Sequence, residues 1–218
     1  GKNQQLLRQI SMVLFDKEKI KGLPYLEKIN LVNSATGYKS ANLIGSSCSN
    51  GTTNLAVFSS VTHFGSSPAI FGFVLRPTTV ARNTYDNIKE TGIFTLNPIF
   101  ESIVEDAHHT SAKYPKEVSE FDRTSLEAEY KEGWAAPFVK GAPIQLGMRY
   151  LEEHHIKANG TLLVLAEVER LYVEESLLEE DLFINLSKGN IAAINGLDGY
   201  AIPKSPKRQA YQRPKENL

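Results

Sequence analysis

Two Asn-Gly pairs, each set between runs of β-forming residues, constrain the fold of this chain more than any other feature. Asn50-Gly51 lies between residues 40–48 and 54–61, and Asn159-Gly160 lies between an alternating segment at 144–150 and the run Thr161–Val173. Asn and Gly tolerate the positive φ that a tight reversal requires, so each pair predicts an antiparallel hairpin. Ala69–Leu75 and residues 92–97 read as further strands, with one short helical stretch between them. No long helix follows each strand, which argues against a doubly wound parallel sheet. The expected class is mainly β: an antiparallel barrel with peripheral helices.

The segment between the last two runs, 76–92, reads RPTTVARNTYDNIKETG. It predicts a helix starting in the region 82–84, with Asn83 as N-cap, Asp86 three residues on and Gly92 as the left-handed C-terminal residue. Arg76, Thr78, Thr79, Arg82 and Thr84 then gather at a helix N-terminus. Its unpaired N–H groups and positive dipole end favour an anion, and guanidinium groups add charge-assisted hydrogen bonds. A phosphate monoester suits such a place; a capped helix with two solvated arginines is the plainer alternative. Neither a P-loop nor a G-x-G-x-x-G turn occurs, so a nucleotide would have to be held in another way. The strand from Asn54 to Ser60 offers one, with Asn54, Ser59 and Ser60 beside Phe58 to meet the edge of a flat heteroaromatic ring. The same residues also suit a polar edge strand.

Other readings fall away on composition and spacing. With 218 residues, 41% of them hydrophobic, and no Pro/Gly/Ser-rich linker, the chain reads as one domain over 1–202 followed by a basic tail, 203–218. Leu6, Leu7, Ile10, Val13 and Leu14 predict an amphipathic helix over 3–15. Residues 100–111 predict another helix, and 112–142 reads as irregular. A net charge of −1 argues against a nucleic-acid binder, and no apolar run is long enough to span a membrane. The N-terminal residues lack a signal peptide's apolar core, and the single cysteine, Cys48, fits a reducing compartment, so a cytoplasmic protein is expected. His63, His108-His109 and His154-His155 lack the one-sided spacing of metal ligands, and no metal site is expected. No hydrolase nucleophile signature is present.

Taken in order, Asn54-Leu-Ala-x-x-Ser59-Ser60, Pro68 with its apolar strand, Arg82-x-Thr84-x-x-Asn87-Ile88 and Phe94-x-x-Asn97 resemble the flavin reductase-like, FMN-binding split-barrel family, most nearly its flavoredoxin-type branch. Glu120-Phe121-Asp122 and Ala166-Glu167-Val168 match typical segments, and the resemblance runs from about residue 40 to 200. It implies a six-stranded Greek-key split β-barrel that dimerises, with FMN near the subunit interface. Asn54, Ala56, Phe58, Ser59 and Ser60 would line the isoalloxazine ring and ribityl chain. Arg76, Thr78, Thr79, Arg82, Asn83 and Thr84 would form the phosphate pocket. The implied activity is an FMN-dependent oxidoreductase passing electrons from a donor to a flavin, metal or protein acceptor, with NAD(P)H or a redox protein as candidate partner. One departure bears on the donor: the turn histidine that many such reductases carry is replaced by the Asn159-Gly160-Thr161 turn, and Ala166 stands where their glycine would. A non-catalytic FMN-binding electron carrier or flavin store is therefore the rival, and a flavin-free barrel for another phosphorylated ligand is a third reading. His63, Phe64 and the irregular region 112–142, notably Trp134, are candidates to shape an open face above the ring, with simple packing the alternative for Trp134.

Overall fold

The computed structural model describes residues 10–76 and 83–216. In chain order its strands are β1 (Lys39–Ser40), β2 (Asn42–Ser47), β3 (Thr53–Phe58), β4 (Thr62–Ser66), β5 (Ala69–Leu75), β6 (Ile93–Pro98), β7 (Ala128–Lys131), β8 (Trp134–Val139), β9 (Ile144–Ile156), β10 (Thr161–Val173), β11 (Ala193–Asn195) and β12 (Gly199–Ala201). The α-helices are α1 (Lys17–Lys21), α2 (Tyr25–Ser34), α3 (Asn83–Thr91) and α4 (Val104–His109). Seven strands form one antiparallel sheet in the order β3-β2-β6-β9-β10-β5-β4, one more than the six expected. The extra strand is β4, an exposed edge element that follows β3 closely and pairs with β5.

Both Asn-Gly reversals form. Gly51 has φ +91° and Gly160 has φ +72°, conformations that a side chain would strain. Asn50 accepts the Thr52 N–H through Oδ1 at 2.9 Å, and Asn159 accepts the Thr161 N–H at 3.1 Å, so each asparagine also braces its own turn.

The sheet curls until its ends meet. Phe58 on β3 packs edge-on against Phe73 on β5, with ring centroids 5.3 Å apart, although the two strands lie near opposite ends of the strand order. Phe73 packs in turn on Phe94 of β6 at 5.6 Å. At the seam Ser60 acts as a clasp: its hydroxyl accepts the Val74 N–H at 3.0 Å and donates to the Val74 carbonyl at 3.2 Å. A barrel closed by side chains and one serine, without a continuous ladder between β3 and β5, is a split barrel. Its interior holds Ile44, Phe73, Phe94, Met148 and Val164, among others. A second apolar cluster, including Leu43, Leu55, Ile99 and Val139, lies on the opposite face of β2 and β3. Burial on both faces explains why all six residues of β2 are buried.

Two expectations are corrected. Residues 10–15 of the anticipated N-terminal helix are not helical, and residues 1–9 lie outside the described part. Among the described residues the first helix is α1, where Asp16 accepts the Lys19 N–H at 2.8 Å as N-cap; Ile10, Met12, Val13 and Leu14 gain no core to pack against and stay exposed. The region 112–142 is more ordered than its prolines suggest. It holds the β7–β8 hairpin, and β8 presses so close to β2 that a Cβ at Gly45 would overlap the Pro137 carbonyl and the Thr95 hydroxyl.

Candidate functional site

The edge of β3, the start of α3 and the connection after α4 enclose a cleft of about 360 Å³. Asn54, Ala56 and Phe58 face it from β3, as alternate residues of one strand must, while Leu55 and Val57 turn to the second apolar cluster. Asn83 and Thr84 face it from α3, Leu75 closes one end, and Thr110, Lys113, Tyr114, Lys116 and Glu120 form the far wall.

Side chains hold each wall in place. Asn54 Nδ2 donates to Thr84 Oγ1 at 2.9 Å, tying the strand to the first turn of α3. Asn87 Nδ2 reaches Ser46 Oγ at 3.2 Å, and Ile88 is buried, so positions 84, 87 and 88 form the packed stripe of α3. The helix ends at Gly92, with φ +78° and its N–H on the Ile88 carbonyl at 2.7 Å, as its sequence predicts. Asn83 is helical and so is not the N-cap expected of it; the residues immediately before it lie outside the described part.

The outer edge of β3 pairs with side chains where a strand would normally lie. The Leu55 N–H donates to Glu120 Oε1 at 2.8 Å, the Val57 N–H donates to Thr110 Oγ1 at 3.0 Å, and the Thr53 and Ser119 hydroxyls lie 2.6 Å apart. An edge sealed in this way leaves the neighbouring face free to line a cleft. Glu120 is only 6% exposed, and burial pushes its carboxyl above the usual range although backbone N–H groups partly offset this.

The far end of α3 is latched to β9. Glu153 accepts Lys89 Nζ at 2.8 Å and the hydroxyls of Tyr150 and Tyr85 at 2.7 Å each. Partial burial works to raise its carboxyl, but these three donors outweigh it and hold Glu153 at about 2.

Of the residues expected at the site, Asn54, Ala56, Phe58, Asn83 and Thr84 come together here. Ser59 does not line the cleft, and Ser60 spends its hydroxyl on the barrel seam, so it is not the unspent donor that its sequence suggests. Arg76 is exposed at the end of β5; Thr78, Thr79 and Arg82 lie outside the described residues. Trp134 does not line the cleft; it is buried, donates Nε1–H to the Phe94 carbonyl at 3.3 Å and packs over Gly147 of β9. His63 and Phe64 lie on β4 and do not line the cleft either. The sequence points to 112–142 only as an irregular region that could shape the open face; no residue at 110–120 is singled out as lining the cleft, because these residues are distant from β3 along the chain and carry no periodic pattern.

Residues 36–191 match the flavin reductase like domain. The chain belongs to that family. A split-barrel protein of Shewanella frigidimarina NCIMB 400 that carries a flavin reductase assignment is 39% identical, with 92% of this chain and all of that one covered at a TM-score of 0.89. Two more distant structures share the fold at 19% identity each. Nitrilotriacetate monooxygenase component B of Bacillus cereus covers 93% of this chain and all of its own, with TM-score 0.77. Flavoredoxin of Desulfovibrio vulgaris (Miyazaki F) covers 81% and 91%, with TM-score 0.65. The antiparallel Greek-key split barrel is thus the fold of a flavin reductase-like protein, and flavin is the cofactor class that its family points to.

The cleft can be tested for such a cofactor on its own chemistry. Asn83 Oδ1 is buried with no hydrogen-bond partner among the described residues, a costly state for a polar atom unless a ligand supplies a donor. Phe58 and Leu75 give an apolar surface for a ring, and the first turn of α3 offers amide N–H groups for an anion. The residues present fit a flavin mononucleotide.

Proposed function

We propose that this protein is an FMN-dependent oxidoreductase that takes electrons from a reduced donor and delivers them to a flavin, metal or protein acceptor. The observation that carries the reading is the cleft itself, which joins a ring-sized apolar surface on β3 to a helix N-terminus and holds an orphaned buried acceptor between them. Bound FMN would supply hydride and single-electron chemistry. The chain's own residues bind, orient and shield. Phe58, Ala56 and Leu75 would contact the ring, Asn83 and Thr84 the ribityl and phosphate end, and Arg76, Thr78, Thr79 and Arg82 would complete the phosphate pocket. Glu120 and Thr110 keep the edge of β3 rigid, so that the ring meets a preformed surface.

In this reading residues 1–202 form the FMN-binding domain, 203–218 are an appended basic tail, and the protein acts in the cytoplasm as a homodimer with FMN near the subunit interface. An electron carrier without a nicotinamide substrate is the second reading. The observation in its favour is the β9–β10 turn, where Asn159 caps Thr161 in place of the usual histidine and no other histidine lines the cleft among the described residues.

Visible absorption of the purified protein with added FMN separates flavin binding from a flavin-free barrel: a protein that stays colourless refutes both flavin readings. Anaerobic titration with NADH and NADPH then decides between enzyme and carrier. Bleaching of the bound flavin is the expected result; no bleaching with either leaves the carrier.

A further inference from the structure

A second concavity, of about 490 Å³, shares no lining residue with the cleft. Tyr38, Phe183, Leu186 and Ile191 line it, and Pro203 and Pro206 at the root of the tail add to its wall. Its surface is mainly apolar, and two of its polar side chains are already spent: Asn42 Nδ2 donates to Ser40 Oγ at 3.2 Å, and Ser187 Oγ lies 2.5 Å from Asn185 Oδ1. Tyr38 is 68% exposed and Leu186 48%. Such a groove calls for apolar cover more than for hydrogen bonds.

The same chain carries an apolar segment that lacks cover. Residues 10–15, Ile-Ser-Met-Val-Leu-Phe, have no regular secondary structure. Lys19 fixes the root of this arm: its Nζ donates to the Leu14 carbonyl at 3.3 Å and lies 4.6 Å from the centre of the Phe15 ring. Beyond that root, Met12 is 87% exposed and Leu14 76%. In an extended arm these alternate residues point the same way, ready to enter one groove.

Charge separates the arm from the chain's other candidate occupant. Lys39 and Lys204 also line the groove, and neither is in ion-pair contact with a carboxylate among the described residues. Residues 10–16 contain no cation and end in Asp16, so they enter without repulsion. The tail beyond the groove carries Lys207, Arg208, Arg213 and Lys215 and would meet like charge. Arg208 is committed elsewhere, to Glu179 at 3.2 Å and Asp181 at 2.7 Å, and packs over the Phe183 ring. The tail is therefore wall, not occupant.

We propose that the arm at 10–15 of one copy seats Met12 and Leu14 in this groove of a second copy, each copy giving one arm and receiving one. This rests on the homodimer reading and adds to it the contact that joins the two chains. A reciprocal exchange of this kind covers both uncovered surfaces at once and closes at two copies.

The test is photo-crosslinking of the 218-residue chain with p-benzoylphenylalanine in place of Leu14, in an equal mixture of heavy-isotope-labelled and unlabelled protein. Mass spectrometry of the linked peptides is expected to find residues 38–42 or 183–206 captured across copies, as labelled–unlabelled pairs. Leu186→Asp, at a position half-exposed in the single chain, is expected to weaken the dimer by about tenfold or more in light scattering, because the charge would be buried under the arm. Capture within one copy only, or elsewhere on the second copy, overturns the arm exchange while the dimer stands, and so does an unchanged dimer in Leu186→Asp. A wild-type chain that is a monomer overturns the homodimer reading, and this contact with it.

Discussion

Two carboxylates of this protein are displaced in opposite directions, and the reason is the company each keeps. Glu120 is buried with only amide donors, so its folded form holds a proton more tightly than the unfolded chain does. Glu153 receives an ammonium and two phenolic hydroxyls and holds its proton less tightly, at about 2. The two therefore contribute to stability with opposite signs. An ordinary glutamate titrates near ~4.3. Stability supplied by Glu153 is fully present above that value and is lost as pH falls towards about 2. The penalty from Glu120 is absent below the ordinary value and grows as pH rises through its raised one. Melting curves of the ligand-free protein across this range should show both effects. Glu153→Gln should flatten the acid limb between pH ~4 and ~2, where the wild type loses stability. Glu120→Gln should gain on the wild type as pH rises above ~4.3. A Glu120→Gln profile parallel to the wild type throughout would mean that Glu120 is not held in a desolvated site.

At the scale of elements, the hairpins and α3 were legible because each carries its own local signal. Asn50-Gly51 and Asn159-Gly160 specify reversals by backbone conformation alone, and Gly92 ends α3 for the same reason. The β7–β8 hairpin was not legible. Its order comes from distant partners, with the Val139 N–H on Asn97 Oδ1 at 3.0 Å and the Thr95 hydroxyl on the Pro137 carbonyl at 2.6 Å. The described part of the expected helix over 3–15, residues 10–15, is not helical for the converse reason: its apolar spacing is helical, but among the described residues no core receives it. Within the candidate site, Asn54, Asn83 and Thr84 could be singled out from strand and helix patterns. Glu120 could not be placed, because its position depends on long-range contacts with β3, the Leu55 amide among them. The packing of β8 on β2 gives a direct test of such long-range order. Gly45→Ala puts a methyl group against the Pro137 carbonyl, which as backbone cannot rotate away. The variant should lose about 1–3 kcal/mol in denaturant unfolding, the usual cost of overpacking a tight contact. A midpoint unchanged from the wild type would show that β8 can lift from β2 at no cost.

Residues 10–34 contribute no side chain to either core of the barrel. Neither α1 nor α2 contains a buried residue, and Ile10, Met12, Val13 and Leu14 are between 68% and 87% exposed. Tyr25 and Leu26 add to this surface at 72% each. Isolated apolar side chains on a surface need no explanation, but a run of four followed by an uncovered helix is the pattern of a surface that another chain covers. The proposed homodimer would supply that cover, since a second copy presents the same surfaces and a two-fold arrangement can satisfy both at once. Light scattering on the 218-residue chain should give twice its 24.2 kDa mass at micromolar concentration. The double substitution Met12→Asp with Leu14→Asp places two charges where burial is required and should shift the species towards the single-chain mass, because a desolvated unpaired carboxylate costs several kcal/mol. Both positions are distant from the seven-stranded sheet in sequence and contribute nothing to either of its cores, so the circular dichroism of the barrel should persist in the variant. A double variant that remains at twice the chain mass would mean that the dimer is built on some other surface. A wild-type chain that scatters as a monomer would instead sink the homodimer itself, leaving the exposed run without a partner of its own kind.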